Sequence, residues 1–286
     1  VLAVLLGFMV TGVNANPLPD NFKPPKVISL SSISVSSSQF ITFSALFTAV
    51  TEKTGTQFRF IPSPTSLERE EKIRSGIVQF NTSTAAHAYA TFRGVFDFNI
   101  KGWGPQPLRV VWSGDWQFCG FMTRESSGIK TAADIAGKRV ASFISDEGMD
   151  ANPAALLAFA NLTWNDVKRT PVGSYLDGAN AIIQGNADVC YSALTTKSAM
   201  ELAASPHGIY WIPTPASDVE GWERFKEVFD VWEPGIATFG AGISKEKPAE
   251  VLQWILYLTT DVKTKTDLTY WVTKQIAAQH EAFKDR

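Results

Sequence analysis

Histidine and cysteine, which supply many metal sites and nucleophiles, are scarce in this sequence of 286 residues, which has three histidines and two cysteines. His87, His207 and His280 lie far apart, and none has a second histidine or a carboxylate at the spacing of metal ligands. We therefore expect no metal site and interpret the three histidines as structural or surface residues.

The glycine-rich motifs that bind phosphate or activate a serine are also missing, since the sequence has no P-loop, GxGxxG or GxSxG segment. The net charge of -2 offers no basic stripe for nucleic acid. Neighbouring carboxylates such as Glu70 with Glu71, or Asp146 with Glu147, are usually solvated rather than catalytic. These absences favour a protein that is not an enzyme and needs no cofactor.

Long apolar runs are confined to residues 1–13. The segment after them, Asn14-Ala15-Asn16-Pro17, is polar. This pattern is typical of the end of a secretory signal, with Val13 and Ala15 before the cleavage site. The run is shorter than the roughly 20 residues that a membrane-spanning helix requires. We therefore expect 1–15 to be a signal-peptide remnant, 16–26 to be an irregular leader, and the protein to be periplasmic or otherwise extracytoplasmic.

The two cysteines, Cys119 and Cys190, each lie in an apolar run. Export to an oxidising compartment would permit a disulfide between them. Because both runs have the composition of a protein core, we favour two buried free thiols.

What the sequence does contain is a regular alternation of short apolar runs with segments of helical periodicity. The runs at 27–30, 57–61 and 77–80 are each followed by a helical segment, and a second cycle of the same kind begins near residue 121. This order predicts an α/β fold with two lobes, each a mostly parallel sheet flanked by helices. We assign 27–120 plus 235–286 to the first lobe and 121–234 to the second.

Several local patterns predict further elements. Two apolar runs at 108–112 and 118–123 predict strands, and Asn152 followed by Pro153 predicts the start of a helix. A strand is expected at 235–243, and amphipathic helices at 251–259 and 268–278.

Small polar residues follow several of the predicted strands, in the segments 32–38, 62–66, 81–83 and 145–150. In an open parallel sheet such loops gather at the carboxyl ends of the strands, where ligands bind. Helix N-termini in this position offer free N–H groups that suit a carboxylate. The same residues also serve as ordinary helix caps and turns, as Ser36 with Gln39 does in the form of a capping box.

One segment resembles a known family: 127–140 reads SGIKTAADIAGKRV, which is similar to the "SGIKsxxDLxGKRV" segment of the TAXI receptors of TRAP transporters. A second segment, YLDGANAIIQGNADV at 175–189, is similar to the "axxALxxGxxDA" segment of that family. The resemblance extends from residue 27 to about residue 258. It implies the two-lobed periplasmic-binding-protein type II fold.

The resemblance also implies a function, which is to capture a small carboxylate such as glutamate or a dicarboxylate between the lobes and deliver it to a TRAP-type membrane permease. The receptor would act as a monomer. By position, the residues expected to contact the ligand are Ser32, Ser34, Ser36, Ser37, Ser38, Gln39, Phe40, Ser63, Thr65, Asn81, Thr82, Ser83, Trp116, Ser145, Asp146, Glu147, Tyr175 and Ser192.

Two alternatives keep this fold and change the function. Related two-lobed proteins bind thiamine-pyrimidine precursors or sulfonates, and tryptophans near the expected hinge, Trp112 and Trp116, suit a flat ring. An enzyme on the same scaffold would require a reactive cluster in the crevice, with His87 and a carboxylate brought together there.

Overall fold

A computed structural model of the chain describes residues 18–19, 21–35, 37–63 and 65–283. The expected signal-peptide remnant, 1–15, and the expected ligand contact Ser36 lie outside the described residues. Of the leader, Leu18 and Phe22 pack against the core of the first lobe.

Strands and helices alternate along most of the described chain. The strands are β1 (Val27–Ser32), β2 (Gln57–Pro62), β3 (Phe80–Thr84), β4 (Leu108–Thr123), β5 (Arg139–Ser142), β6 (Lys168–Pro171), β7 (Cys190–Ala193), β8 (Tyr210–Ile212), β9 (Glu233–Ala237) and β10 (Ala249–Asp261). The helices are α1 (Ser38–Thr54), α2 (Ser66–Arg74), α3 (Ala85–Arg93), α4 (Glu147–Phe159), α5 (Tyr175–Ile183), α6 (Lys197–Ala204), α7 (Val219–Val228), α8 (Thr266–Ala278) and α9 (His280–Phe283).

The strands form a mixed sheet in the order β2-β1-β3-β10-β4-β7, with β8 beside β4 and β9 beside β10. Strands β2, β1 and β3 are parallel, whereas β10 runs antiparallel to both β3 and β4. A parallel pair, β5 and β6, lies next to β7 through a bridge between Val140 and Val189. Helices cover these strands, so the predicted α/β fold is confirmed.

The two larger of the three hydrophobic clusters among the described residues define two lobes. The first contains Phe43, Phe80 and Trp271, and the second contains Phe143 and Trp232. Strands β4 and β10 are long enough to supply residues to both cores, and they connect the lobes side by side. The expected division of the chain near residues 120 and 235 stays a prediction, because these shared strands cross from one core to the other.

The predicted helix at 251–259 is wrong, because this segment is the centre of β10. The strand pairs with β3 along one edge and with β4 along the other, so its backbone hydrogen bonds are satisfied within the sheet. Most of its side chains are buried or half-buried, so the segment lacks the alternation of a half-exposed strand. The neighbouring prediction of a strand at 235–243 is correct only in part. Strand β9 ends at Ala237 and pairs with the first half of β10, beside the core of the second lobe. The helix expected at 268–278 is confirmed as α8.

The start of α4 also differs from the prediction, since the helix begins at Glu147 and Pro153 lies inside it. The proline has no N–H to donate to the carbonyl of Met149. The side-chain amide of Asn152 donates to that carbonyl instead, at 3.1 Å, and also to the carbonyl of Gly148 at 3.3 Å. The asparagine that suggested a helix cap therefore compensates for a proline within the helix.

Two of the predicted loops are parts of regular elements. Residues 81–83 belong to β3, and the following Thr84 caps α3 by accepting a hydrogen bond from the N–H of His87. Asp146 caps α4, so residues 147–150 are helical.

The two runs at 108–112 and 118–123 form the single continuous strand β4. Pairing with β10 along most of its length holds the intervening segment extended.

Cys119 and Cys190 are free and buried, as expected from their apolar surroundings. No helix in the described part of the chain has the length and apolar character needed to cross a bilayer.

Candidate functional site

A cavity of about 80 Å³ lies between the two lobes, and we call it the interlobe cavity. The beginnings of six helices, α1 to α6, line it. Its wall consists of Ile33, Ser37, Ser38, Gln39, Ser66, Arg69, Thr84, Ala86, His87, Ala90, Asp97 and Phe98 from the first lobe, and Cys119, Gly148, Met149, Asn152, Tyr175, Tyr191, Ala193, Thr196, Phe229 and Trp254 from the second-lobe side. The predicted convergence of strand-to-helix corners on one gap is present.

Each helix start is fixed by its own capping residue. Ser37 accepts a hydrogen bond from the N–H of Phe40, and Thr84 and Thr196 do the same for α3 and α6. Such caps satisfy one of the free N–H groups at the beginning of a helix. These hydroxyl oxygens serve the helices first, so the cavity gains its charge from other side chains.

The positive charge of the first-lobe wall is Arg69 of α2, whose side chain is buried. One terminal nitrogen, Nη2, donates to Ser66 Oγ at 3.0 Å and lies 2.9 Å from His87 Nδ1, while Nη1 donates to the carbonyl of Ser63 at 3.5 Å. The Nε atom has no hydrogen-bond partner among the described residues. Because a buried donor without a partner is costly, this N–H is suited to bind an acceptor in the cavity.

A chain of buried polar groups holds Arg69 in place. His87 Nε2 lies 2.7 Å from Glu70 Oε1, and the side-chain amide of Asn81 donates to the same oxygen at 2.6 Å. Since Arg69 can only donate, His87 Nδ1 must accept from it, and the ring proton sits on Nε2 and faces Glu70. The chain therefore runs from Arg69 to His87 to Glu70 and fixes the plane of the guanidinium.

Burial governs the protonation of these groups. Burial lowers the pKa of His87, and the charge of Arg69 lowers it further against the opposing hydrogen bond to Glu70. The imidazole is accordingly neutral near pH 7, which agrees with the hydrogen-bond pattern. Burial also lowers the pKa of Arg69, an effect opposed by Asp146 and Glu70.

Asp146 of the second lobe faces this network. Its Oδ2 accepts hydrogen bonds from the N–H and the hydroxyl of Ser66, both at 3.4 Å. Burial raises the pKa of Asp146 to about 6, with the nearby carboxylate of Asp97 as the second cause. Charged groups of both signs thus meet where the lobes face each other.

The second-lobe side of the cavity is mainly aromatic. Tyr175 and Tyr191 lie with ring centres 5.8 Å apart, and Trp254 stacks on Trp232 at 4.3 Å. Neither Trp254 Nε1 nor the hydroxyl of Tyr191 has a hydrogen-bond partner of normal geometry in the described part of the chain, although the weakly bonding thiol of Cys119 lies near that hydroxyl. This wall is suited to exclude water from a ligand.

The predicted ligand contacts divide into three groups. Those in the cavity wall are Ser37, Ser38, Gln39 and Tyr175. Those buried outside the wall are Ser32, Ser63, Asn81, Thr82, Ser83, Asp146 and Ser192, of which Asn81 and Asp146 bond to groups near Arg69. Those at the surface or only half-buried, away from the cavity, are Ser34, Phe40, Thr65, Trp116, Ser145 and Glu147. The structure therefore brings together one of the predicted loops, at the start of α1, and one predicted aromatic residue.

The main charged residues of the cavity were not among the predicted contacts. Arg69 lies in the strongly charged segment 67–74, which is typical of a solvated helix face, and His87 was interpreted as structural. Both become buried because α2 and α3 pack against β3 and the turn at 96–98. No cluster of three potential metal-binding side chains occurs within the described residues.

The sequence matches one known protein family. A model of the NMT1-like family matches residues 34–285. The chain belongs to the NMT1-like family. No curated protein matches its sequence significantly.

Solved structures share the fold of this NMT1-like chain. A periplasmic transporter is 10% identical with a TM-score of 0.65, and the match covers 90% of this chain and 84% of that chain. A periplasmic binding protein from Brucella ovis with glutathione bound is 11% identical with a TM-score of 0.54, covering 90% and 67%. A mutant of the ArgBP protein from T. maritima is 10% identical with a TM-score of 0.53, covering 91% of each. The prediction of a two-lobed type II binding-protein fold is confirmed.

Proposed function

We infer that this protein is an extracytoplasmic solute-binding protein that closes its two lobes around a compact carboxylate and presents it to a membrane transporter. The observation that carries the inference is the buried guanidinium of Arg69, a residue of the cavity wall whose Nε lacks a partner within the described chain. Contacts to both lobes exist only when the lobes are closed, so a bound ligand favours the closed form.

The carboxylate is supported by the direction of the surrounding dipoles. Six helices begin at the cavity, and each places the positive end of its dipole there. Arg69 adds a full positive charge, and a planar guanidinium is the side chain best suited to a carboxylate. Aromatic groups on the opposite wall would shield this contact from water and strengthen it.

The size of the ligand is limited by the cavity. Its volume of about 80 Å³ is far below the roughly 300–1,000 Å³ of pockets that hold drug-sized ligands. A small amino acid or dicarboxylate is therefore favoured over a large ring system.

A flat aromatic ligand, such as a thiamine-pyrimidine precursor, is the second candidate. It is favoured by the aromatic wall, in which Tyr175, Tyr191 and Trp254 provide ring faces and edges. Such a ligand would need a wider separation of the lobes than the closed cavity offers.

Catalysis is not part of the proposal, although His87 and Glu70 do lie together beside the cavity. Both ring nitrogens of His87 are engaged by protein groups, and the ring serves to orient Arg69. Binding is therefore the function that this arrangement supports best.

The transporter is proposed from sequence. The segment at 127–140 resembles TAXI receptors, which supports a TRAP-type permease as the partner. Binding-protein neighbours described as periplasmic support a location outside the cytoplasm.

Thermal-shift and calorimetric titrations against amino acids, dicarboxylates, sulfonates and aminopyrimidines would test the ligand class. We expect a carboxylate to raise the melting temperature, and Arg69→Gln to weaken its binding by about 100-fold or more, because a buried ion pair loses one partner at a cost of about 3–5 kcal/mol.

Arg109→Gln is the matched control, since Arg109 is exposed at the start of β4. This variant should bind as tightly as the wild type. Stabilisation by aminopyrimidines alone, with affinity unaffected by Arg69→Gln, would replace the carboxylate by the second candidate.

A further inference from the structure

The lobes are joined at the edge of the cavity by a carboxylate of one lobe on a helix of the other. Asp97, in the short turn at 96–98 after α3, accepts hydrogen bonds from the N–H groups of Glu147 and Gly148 at 2.9 and 3.0 Å. Asp146 caps the same helix by accepting from the N–H of Met149 at 2.8 Å. Three consecutive N–H groups of α4 are thus divided between a first-lobe and a second-lobe carboxylate.

A second contact between the lobes lies beside the first. Ser66, at the start of α2, donates its N–H and its hydroxyl to Asp146 Oδ2. We call Ser66, Asp97, Asp146 and the first turn of α4 the interlobe clasp. The bonds from Ser66 to Asp146 and from the N–H groups of Glu147 and Gly148 to Asp97 cross from lobe to lobe, so they break when the lobes separate.

The two carboxylates of the clasp are close to each other. A methyl group on the Cα of Gly148 would lie 3.2 Å from Asp97 Oδ2 and 3.4 Å from Asp146 Oδ1, so glycine is the residue that leaves room for both. Two neighbouring carboxylates in a buried site do not both stay ionised at low cost, and one proton between them relieves the repulsion.

Other ionisable groups surround the clasp on every packed element. They are Arg69 and Glu70 of α2, His87 of α3, Glu147 and Asp150 of α4, and Tyr175 of α5. Glu70 is bonded to His87 and Asp150 to Arg169, while Glu147 is exposed. Arg69 is the positive charge that opposes protonation of Asp146, and burial together with Asp97 outweighs it.

We propose that the interlobe clasp makes lobe closure depend on pH, with a proton on Asp146, beside the carboxylate of Asp97, stabilising the closed form and its loss favouring the open form. This regulation rests on the proposed function, because it acts on the closure that retains the ligand. A receptor of this kind binds more tightly in an acidic surrounding and releases its ligand more easily at neutral pH.

The direction and the size of the pH effect follow from the linkage between proton binding and lobe closure. In the closed form the pKa of Asp146 is about 6, whereas a carboxyl group exposed by opening has a pKa of about 3.9. The closed form therefore binds the proton more tightly, and closure is favoured as pH falls through the window between about 6 and 4. Each unit of difference changes the equilibrium tenfold, so the ratio of closed to open protein is about tenfold higher at about pH 5 than at about pH 7.5.

Fluorescence energy transfer between dyes on the two lobes measures this ratio with no ligand added. Lys53→Cys on α1 and Glu227→Cys on α7 place both dyes at exposed positions, and the two native thiols are buried. We expect the closed population of this doubly labelled protein to rise about tenfold relative to the open one between about pH 7.5 and about pH 5.

Two variants and one control assign the effect. Asp146→Asn removes the group that takes up the proton and should reduce the pH dependence to less than about twofold. Asp97→Asn removes only the second cause of the raised pKa of Asp146 and should reduce the dependence in part. Each asparagine keeps one accepting oxygen and loses the other. Glu147→Gln, in the same turn but exposed, should keep the full tenfold dependence.

A ratio that stays constant with pH in the wild type, or a dependence that survives both asparagine variants, would overturn the clasp. The clasp and the ligand proposal fail separately. A pH-dependent ratio without any carboxylate ligand supports the clasp and removes the proposed function, whereas carboxylate binding with a pH-independent ratio removes only the clasp.

Discussion

The two walls of the interlobe cavity are built from different chemistry. On the first-lobe wall, Arg69 is held by a chain of hydrogen bonds to His87 and Glu70. On the opposite wall, Tyr191 and Trp254 offer mainly apolar surface with two poorly bonded polar atoms. Under the proposed function, the first lobe would select a ligand by charge, and the second lobe would exclude water and so strengthen that contact.

The largest effect on stability is expected when an aromatic ring behind the second wall is removed. Trp232 is fully buried, stacks on Trp254 and donates its Nε1–H to Asn152 at 3.1 Å. We expect Trp232→Ala to lower the free energy of unfolding by about 3–5 kcal/mol, because the surrounding core cannot fill the space. Urea denaturation followed by circular dichroism measures the change.

Trp116→Ala is the matched control, because this tryptophan on β4 is 42% exposed. Its loss should lower the free energy of unfolding clearly less, by about 1 kcal/mol, because much of the ring is already in water. Equal destabilisation by the two substitutions would show that the second wall does not depend on its buried ring.

A smaller effect is expected on the first wall from His87→Gln, since glutamine retains one donor and one acceptor. The pKa of His87 is lowered in the folded protein, so the unfolded chain binds the proton more tightly. The stability from the neutral ring is fully present above the unfolded pKa of about 6.5 and decreases as pH falls toward the folded pKa. The melting temperature of the wild type should therefore fall more steeply than that of His87→Gln between about pH 7 and pH 5.

His207→Gln serves as the control for this pH profile, because that histidine shows no bond from its ring to a buried carboxylate. Its profile should follow the wild type. Parallel profiles for His87→Gln and the wild type would contradict a neutral His87 inside the first wall.

The smallest expected effect concerns the reactivity of the buried thiols, which tests whether water is excluded from the second wall. Burial raises the pKa of the Cys119 thiol to about 12 and raises that of Cys190 as well. Since the thiolate is the reactive form, neither cysteine should react with a thiol reagent such as Ellman's reagent in the native protein, and both should react after denaturation. Ser75→Cys, an exposed position, provides the reactive comparison, and rapid native labelling of Cys119 would contradict a dry wall.

Local signals in the sequence were sufficient for the elements that stand alone along the chain. Helix α8 and the α/β alternation of the first lobe follow from periodicity and flanking residues. Strand β10 was predicted as a helix, because its continuous apolar run has no strand alternation, and its pairing partners β3 and β4 are distant in the sequence. Pairing between distant segments decided its conformation.

The candidate site likewise has a part that local sequence signals predict and a part that depends on how distant segments pack. The serine-rich start of α1 was predicted from a capping box of Ser36 with Gln39, whereas Ser37 is the residue that caps the helix. Arg69 and His87 carry no such signature, since their burial and their bond to each other depend on how α2 and α3 pack. The sequence predicts where a ligand crevice lies, whereas its charges emerge only after the helices are assembled.

Strands β4 and β10 set a limit on how the lobes move. Because both strands continue from one core into the other and are bonded together along their length, a change in the angle between the lobes must bend a two-stranded ribbon rather than rotate a flexible loop. The pairing is irregular between Ile255 and Tyr257 and again between Leu258 and Thr259, and these steps are where the ribbon bends most easily. In the proposed opening, this ribbon would keep its strand pairing, so the same residues would return to the same partners each time the lobes close.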